Sequence, residues 1–262
     1  MSDDRYSTPP PLIPPAYAAA SAVGAASAAI PIGEAPDDRT PIAGIVGAVE
    51  AVLRQPRRIT YHLRQPHSGG LIAALLAIAI VCALVYGVVV GTFSGDKQLW
   101  IASVKITVGL LFSALICLPS LYIFSCLSGS KARLIEVGGL LAGLLALLTV
   151  LLVGFAPVAL VFSTSTGNLA AMGTLHLAFG LIATCFGLRF LNAGFAHLEA
   201  RPAGSRVWAL IFLLVLLQMT TALRPIIGTA DTVLPGMKEK KFFVGHWMDS
   251  LRTESAKNDP VR

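Results

Sequence analysis

Residues 71–91 form a run of 21 residues without a single charged side chain. An α-helix of this length spans about 30 Å, which is the thickness of the hydrocarbon core of a bilayer. Four further long apolar runs follow at short intervals: residues 101–126, 134–162, 169–194 and 207–223. Because backbone inside a bilayer must satisfy its own hydrogen bonds, the series predicts an all-α polytopic transmembrane bundle with five spans.

The composition agrees with a membrane protein. Hydrophobic residues make up 55% of the chain and charged residues 13%, and the mean hydropathy is +0.74. Residues 71–223 hold only seven of the 20 Lys and Arg and three of the 14 Asp and Glu. The net charge of +6 arises largely from basic residues beside the apolar runs, where they contact lipid headgroups. We therefore expect membrane lipids as partners and no nucleic acid.

Basic residues also predict the topology. Arg54, Arg57, Arg58 and Arg64 precede the first span, and residues 51–70 contain no acid. The positive-inside rule then places the N-terminus in the cytoplasm, and the N-terminal residues lack the basic start of a cleaved signal peptide. We expect a multi-pass protein of a bacterial inner membrane. Five spans put the C-terminus outside, although its tail, with seven basic and five acidic residues, favours the inside.

Three segments flank the spans. Residues 1–41 are rich in Pro and Ala and predict a disordered tail. Residues 42–70 combine apolar residues at helical spacing with arginines, which predicts an amphipathic segment on the cytoplasmic membrane surface. In the C-terminal tail, residues 224–262, Phe243, Trp247 and Leu251 share one helical face and predict a second interfacial helix.

Glycines recur at helical spacing in two of the spans. Small residues let membrane helices approach closely, so we expect helix packing at these positions and place the fourth span inside the bundle. The glycines concerned are Gly139 and Gly143 in the third span and Gly173, Gly180, Gly187 and Gly194 in the fourth.

Five polar residues fall within the spans and are candidate intramembrane contacts, because a polar group in a membrane needs a partner. Glu136 and Arg189 lie near the inner ends of two neighbouring spans, and an ion pair between them is expected. Lys105, His176 and Gln218 lie at comparable depth on three different helices. Either they satisfy one another by hydrogen bonds, or they line a polar path.

The sequence contains no motif of a known reaction chemistry. A phosphate-binding glycine loop, an HExxH motif and a nucleophile elbow are all absent, and the histidines show no metal-ligand spacing. We expect no enzyme activity and no cofactor. His176 as the single axial ligand of a tetrapyrrole stays an alternative, but ligation by two histidines lacks its second imidazole.

The segment before the first span, residues 49–58 with the sequence VEAVLRQPRR, resembles the helix-then-Pro-Arg lead-in of the YIP family of five-span membrane proteins. That family is named for interaction with Ypt/Rab GTPases and has uncharacterised bacterial members. The resemblance covers residues 45–223 and implies a non-enzymatic organiser of membranes or membrane partners. The C-terminal tail departs from the family pattern, and no functional residue is carried over.

Two functions remain open. The first is a scaffold or accessory subunit that acts through helix packing, with other membrane subunits or a second copy as partner. The second is a small transporter or channel component whose polar path lies near Lys105, His176 and Gln218.

Overall fold

The computed structural model describes residues 32–92, 96–165, 169–196 and 202–222. Within these ranges the chain is helical and forms no β-strand. A short 3-10 helix, Pro36–Arg39, precedes seven α-helices: α1 Gly44–Arg54, α2 Pro56–Leu63, α3 Gly69–Thr92, α4 Asp96–Leu127, α5 Leu134–Ser165, α6 Leu169–Ala196 and α7 Pro202–Ala222. The expected amphipathic helix of the C-terminal tail and most of the expected N-terminal tail lie outside the described residues.

Four of the helices, α3 to α6, are long and apolar enough to cross a membrane, as in a multi-pass membrane protein. They coincide with the first four predicted spans. The apolar part of α7 within the described residues, Val207–Thr220, is shorter.

The centre of the bundle is α5, and α6 lies at its edge. α5 packs against α3 and α6 along their lengths and also touches α1, α2 and α4. In the most apolar 18-residue stretch of α5, 50% is buried inside the bundle, whereas in the corresponding stretch of α6 only 22% is buried. The expectation that the fourth span lies inside the bundle is therefore wrong. Gly187 and Gly194, toward the end of α6, pack tightly on α5, and the opposite face of α6, with Arg189 and Asn192, is exposed.

On the other side of the bundle, α4 packs against α3 and α7 packs against α4. Trp208 and Phe212 of α7 are fully buried and stacked, with ring centroids 5.1 Å apart. The indole Nε1–H of Trp208 donates a hydrogen bond to the carbonyl of Cys117, 3.0 Å away, in the turn of α4 that contains Pro119. The same carbonyl accepts from Oγ of Ser120 at 2.8 Å, and the Trp208 bond joins α7 to α4 while satisfying the buried indole N–H.

The short helices α1 and α2 pack at one end of the bundle, which we call the proximal end; the opposite end is the distal end. Ile59 and Leu63 of α2 are fully buried, and Leu63 lies against Gly139 of α5. The surface-lying segment expected at residues 42–70 is therefore also docked into the bundle. Residues 32–41, expected to be part of a disordered tail, are folded against α2, where Asp38 is buried.

Candidate functional site

The most notable intramembrane polar contact joins α3 to α6 in the distal half of the bundle. The hydroxyl of Tyr86 lies 2.7 Å from Nδ1 of His176, and the two rings meet edge to face. Tyr86 is six residues from the end of α3 and His176 seven from the start of α6, so both lie about 10 Å below the distal end. One turn further along α6, Phe179 stacks on Phe155 of α5.

The direction of this hydrogen bond follows from counting donors. The Nε2 atom of His176 is buried and has no hydrogen-bond partner among the described residues. If Nδ1–H donated to the Tyr86 hydroxyl, Nε2 would lack a donor and the phenolic hydrogen would lack an acceptor, so two groups would be unsatisfied. We therefore assign Tyr86 as the donor, which makes Nδ1 the acceptor and leaves Nε2–H as a buried donor without an acceptor. Such a group costs about 1–3 kcal/mol.

Neither Lys105 nor Gln218 is the hydrogen-bond partner of His176, so the expected cluster of the three does not form. Lys105 is 2% exposed on α4, and Gln218 is half-buried on α7; each has interactions of its own. The reason is the arrangement of the helices. α4 packs mainly against α3 and α7, whereas α6 packs mainly against α5 and only lightly against α7.

The expected ion pair between Glu136 and Arg189 does not form either. Glu136 occupies the first turn of α5, and its Oε1 accepts from Nε of Arg133 at 2.8 Å. Its Oε2 also accepts the backbone N–H of Arg133 at 3.4 Å, as a glutamate in the first helical turn does. Arg133 donates in turn to the carbonyl of Arg64, which joins α5 to the end of α2. Arg189 is exposed on α6.

The six predicted packing glycines differ in their surroundings. A Cβ at Gly139 or Gly143 would lie 2.4 Å from Leu63 or 2.7 Å from Phe190, and a Cβ at Gly187 or Gly194 would meet Leu144 at 3.2 Å or Leu140 at 2.6 Å. These four glycines admit a neighbouring side chain.

Gly180 is different, since a Cβ there would meet nothing within 4 Å. Its expected packing role is therefore wrong within this chain. Gly173, nearer the start of α6, is half-buried.

Two helix backbones also approach closely at a glycine that the sequence analysis did not single out. A Cβ at Gly87 of α3 would lie 2.4 Å from the Cα atom of Ser103 in α4. The Oγ–H of Ser103 donates to the carbonyl of Leu84 at 2.7 Å and joins the same two helices. Gly87 and Gly91 stand in GxxxG spacing, as Gly139 and Gly143 do, and this spacing is the sequence signal that points to Gly87. A sequence signal also points to Tyr86, the residue before Gly87. Its phenolic hydroxyl lies inside an otherwise apolar run, and a buried hydroxyl needs a hydrogen-bond partner.

The densest polar cluster lies at the proximal end, where residues 33–41 contact α2. The carboxylate of Asp38 pairs with the guanidinium of Arg57 at 3.1 Å. Neither here nor in the rest of the described residues do three side chains of His, Cys, Asp or Glu lie close enough together to hold a metal ion. The four cysteines are free thiols.

No protein-family model, no curated protein and no solved structure matches the chain.

Proposed function

We propose that the protein is a non-enzymatic integral membrane protein that serves as a scaffold or accessory subunit of a membrane assembly. The observation that carries the proposal is the uncovered face of α6. Arg189 and Asn192 are both exposed on this face, and Arg189 lies seven residues, about 10 Å, before the end of the helix. A charged side chain facing lipid inside a span is costly, by about 2.5–3.5 kcal/mol at the centre of the membrane.

A transmembrane helix of another subunit, or of a second copy of this chain, would remove that cost by pairing with Arg189. The same face carries small side chains, Ala171 and Ala178, which allow a second helix to approach closely. The described part of the chain buries α6 against α5 and only lightly against α2 and α7. The bundle therefore leaves one helix available for an intermolecular contact.

We further propose that the proximal end lies at the cytoplasmic membrane surface. The support comes from α1. Successive residues of a helix are 100° apart, and the residues of α1 fall on three sides with different surroundings. Ala48 and Ala51 are buried against the bundle, whereas Ile45 and Val46 are exposed, Val46 by 82%. Arg54 lies on the third, polar side. One side for the bundle, one for lipid and one for water is the pattern of a helix lying in the interface.

Two finer assignments belong to the same proposal. α7 serves as a fifth, short span, supported by the burial of Trp208 and Phe212 against α4.

The YIP-like lead-in at residues 49–58 supports a role in organising membrane partners. It falls on α1 and the start of α2, the helices that pack at the proximal end.

The test compares Arg189→Leu with Lys131→Leu, a variant that removes an exposed charge from a loop at the same end. Each protein is purified in a mild detergent and its mass is determined by native mass spectrometry. We expect the wild type and Lys131→Leu to carry a stoichiometric partner subunit or second copy, and Arg189→Leu to lose it while remaining folded. A wild-type monomer, or an unchanged assembly in Arg189→Leu, would contradict the proposal.

A further inference from the structure

Residues 33–41, which we call the strap, lie across the polar face of α2 and are held there by one buried carboxylate. Nη2 of Arg57 lies 3.1 Å from Oδ2 of Asp38, and the two side chains are only 16% and 5% exposed. The same Oδ2 accepts the backbone N–H of Gly33 at 3.1 Å. Asp38 thus closes the turn of the strap and fastens the strap to α2.

The rest of the attachment is also polar. Arg58 donates from Nε to the carbonyl of Thr40 at 3.0 Å and from Nη2 to the carbonyl of Pro41 at 2.8 Å. Nε2 of His62 donates to the same Thr40 carbonyl at 2.8 Å. The strap therefore uses the hydrogen-bonding capacity of three side chains on α2.

Gly33 fits the strap closely to α2. Its φ of +87° belongs to the left-handed region that favours glycine, and a Cβ there would lie 2.7 Å from the ring of Tyr61. An alanine at this position would be strained by its backbone conformation and by this contact.

The strap is easier to release than the helix beneath it. Within the strap only Gly33 and Asp38 are buried, and the bonds from Arg58 and His62 to the carbonyls of Thr40 and Pro41 are exposed, so water can replace them. α2 itself is anchored by the fully buried Ile59 and Leu63 on its opposite side. Opening the strap would expose the polar face of α2 and leave α2 in place.

The exposed face would suit phosphate. α2 contains no acidic residue, and Arg57 and Arg58 would present two adjacent guanidinium groups. Guanidinium groups bind phosphate oxygens in bidentate geometry. The face lies at the proximal end, where Ile45 and Val46 of α1 are exposed on the side assigned to lipid. The nearest phosphates there are lipid headgroups.

We propose that the strap is a releasable cover over a headgroup-binding face on α2, and that anionic phospholipid in the adjacent leaflet competes with Asp38 for Arg57 and Arg58. The proposal rests on the placement of α1 at the membrane surface given above. Anionic lipid then opens the strap.

Hydrogen exchange of the strap, measured by mass spectrometry on the full chain in lipid nanodiscs, tests the proposal. In zwitterionic lipid we expect Asp38→Asn to speed exchange of residues 33–41 by about tenfold or more, because exchange reports opening. Asp37→Asn is the matched control, since it removes an equal but exposed charge, and it should leave the strap protected. Equal exchange in the two variants would overturn the proposal.

The lipid dependence is tested in the same discs. The wild-type strap should exchange faster when an anionic phospholipid is included. The double variant Arg57→Gln, Arg58→Gln, whose strap is already loosened, should show no further increase and should retain less anionic lipid after delipidation. Exchange that does not depend on anionic lipid in the wild type, or opening by inorganic phosphate in zwitterionic discs, would overturn the assignment to a headgroup.

A photoreactive residue in place of Val46 distinguishes failure of the strap proposal from failure of the proposed placement of α1 at the membrane surface. If position 46 crosslinks to lipid but hydrogen exchange of the strap does not depend on anionic lipid, the proposal about the strap is refuted and the placement of α1 is retained. Failure of Val46 to reach lipid would refute the placement of α1 and, with it, the proposed competition.

Discussion

Replacing Gly87 with alanine should separate α3 from α4. The new Cβ would lie 2.4 Å from the Cα atom of Ser103, whereas carbon atoms in contact prefer about 3.5–4.0 Å. The helices must therefore move apart by roughly 1 Å or more, because the obstructing atom is backbone. Forcing extra volume into a packed site costs about 1–3 kcal/mol, and the Ser103 bond to Leu84 adds about 0.6 kcal/mol if it is lost. We expect a total loss of about 2–4 kcal/mol.

The assay is reversible unfolding in mixed micelles, with the free energy of unfolding obtained for each variant. Gly154→Ala is the matched control, since a Cβ at Gly154 of α5 meets nothing within 4 Å, and its stability should not fall. Adding Ser103→Gly should not rescue Gly87→Ala, because the closest contact is with the Cα atom and not the side chain. If Gly87→Ala is as stable as Gly154→Ala, the described crossing of α3 and α4 is wrong.

Three further predictions use the same unfolding assay. Tyr86→Phe leaves both nitrogens of the buried imidazole without partners and should cost about 1–3 kcal/mol, whereas Tyr122→Phe, at a less buried hydroxyl, should change stability little. Trp208→Phe retains an aromatic ring but loses the hydrogen bond to α4, and should cost about 1 kcal/mol; an unchanged stability would remove the argument for that bond. Gly187→Leu should destabilise the contact of α6 with α5 by about 1–3 kcal/mol and Gly180→Leu by less, and the reverse order would contradict the described packing.

The existence and limits of the long helices were predictable from the sequence because a run without charges has few alternatives to crossing a membrane. The run at residues 71–91 corresponds to α3, Gly69–Thr92, and the run at residues 134–162 to α5, Leu134–Ser165. The order of packing was not predictable. Helices that are apolar on all sides carry no stripe that identifies a neighbour, and the glycine spacing of α6 does not distinguish a central position from one at the edge.

The polar contacts show the same limit. Depth in the membrane can be read from position in a span, and on depth alone His176 matches Lys105 and Gln218. The direction in which each side chain points depends on helix rotation, which hydropathy does not encode. Tyr86 was missed for this reason, although its hydroxyl inside an apolar run required a partner.

The folded strap could not be predicted from the composition of residues 33–41. Its prolines resemble those of the preceding tail, and the residue that fixes it, Asp38, pairs with Arg57 19 residues further along the chain. An acid followed by arginines across a gap of that length has no local periodicity. Only the folded arrangement shows that one of the arginines before the first span is partnered by this acid.

The most direct test of the proposed function is photocrosslinking in native membranes from the uncovered face of α6. Phe186 on α6 and Phe112 on α4 are both 52% exposed, so a photoreactive residue at either position meets the surroundings of the bundle equally well. If α6 docks a partner subunit or a second copy, position 186 should give a discrete crosslinked protein species and position 112 should give only lipid adducts. Lipid adducts alone at both positions would contradict the scaffold or accessory-subunit role.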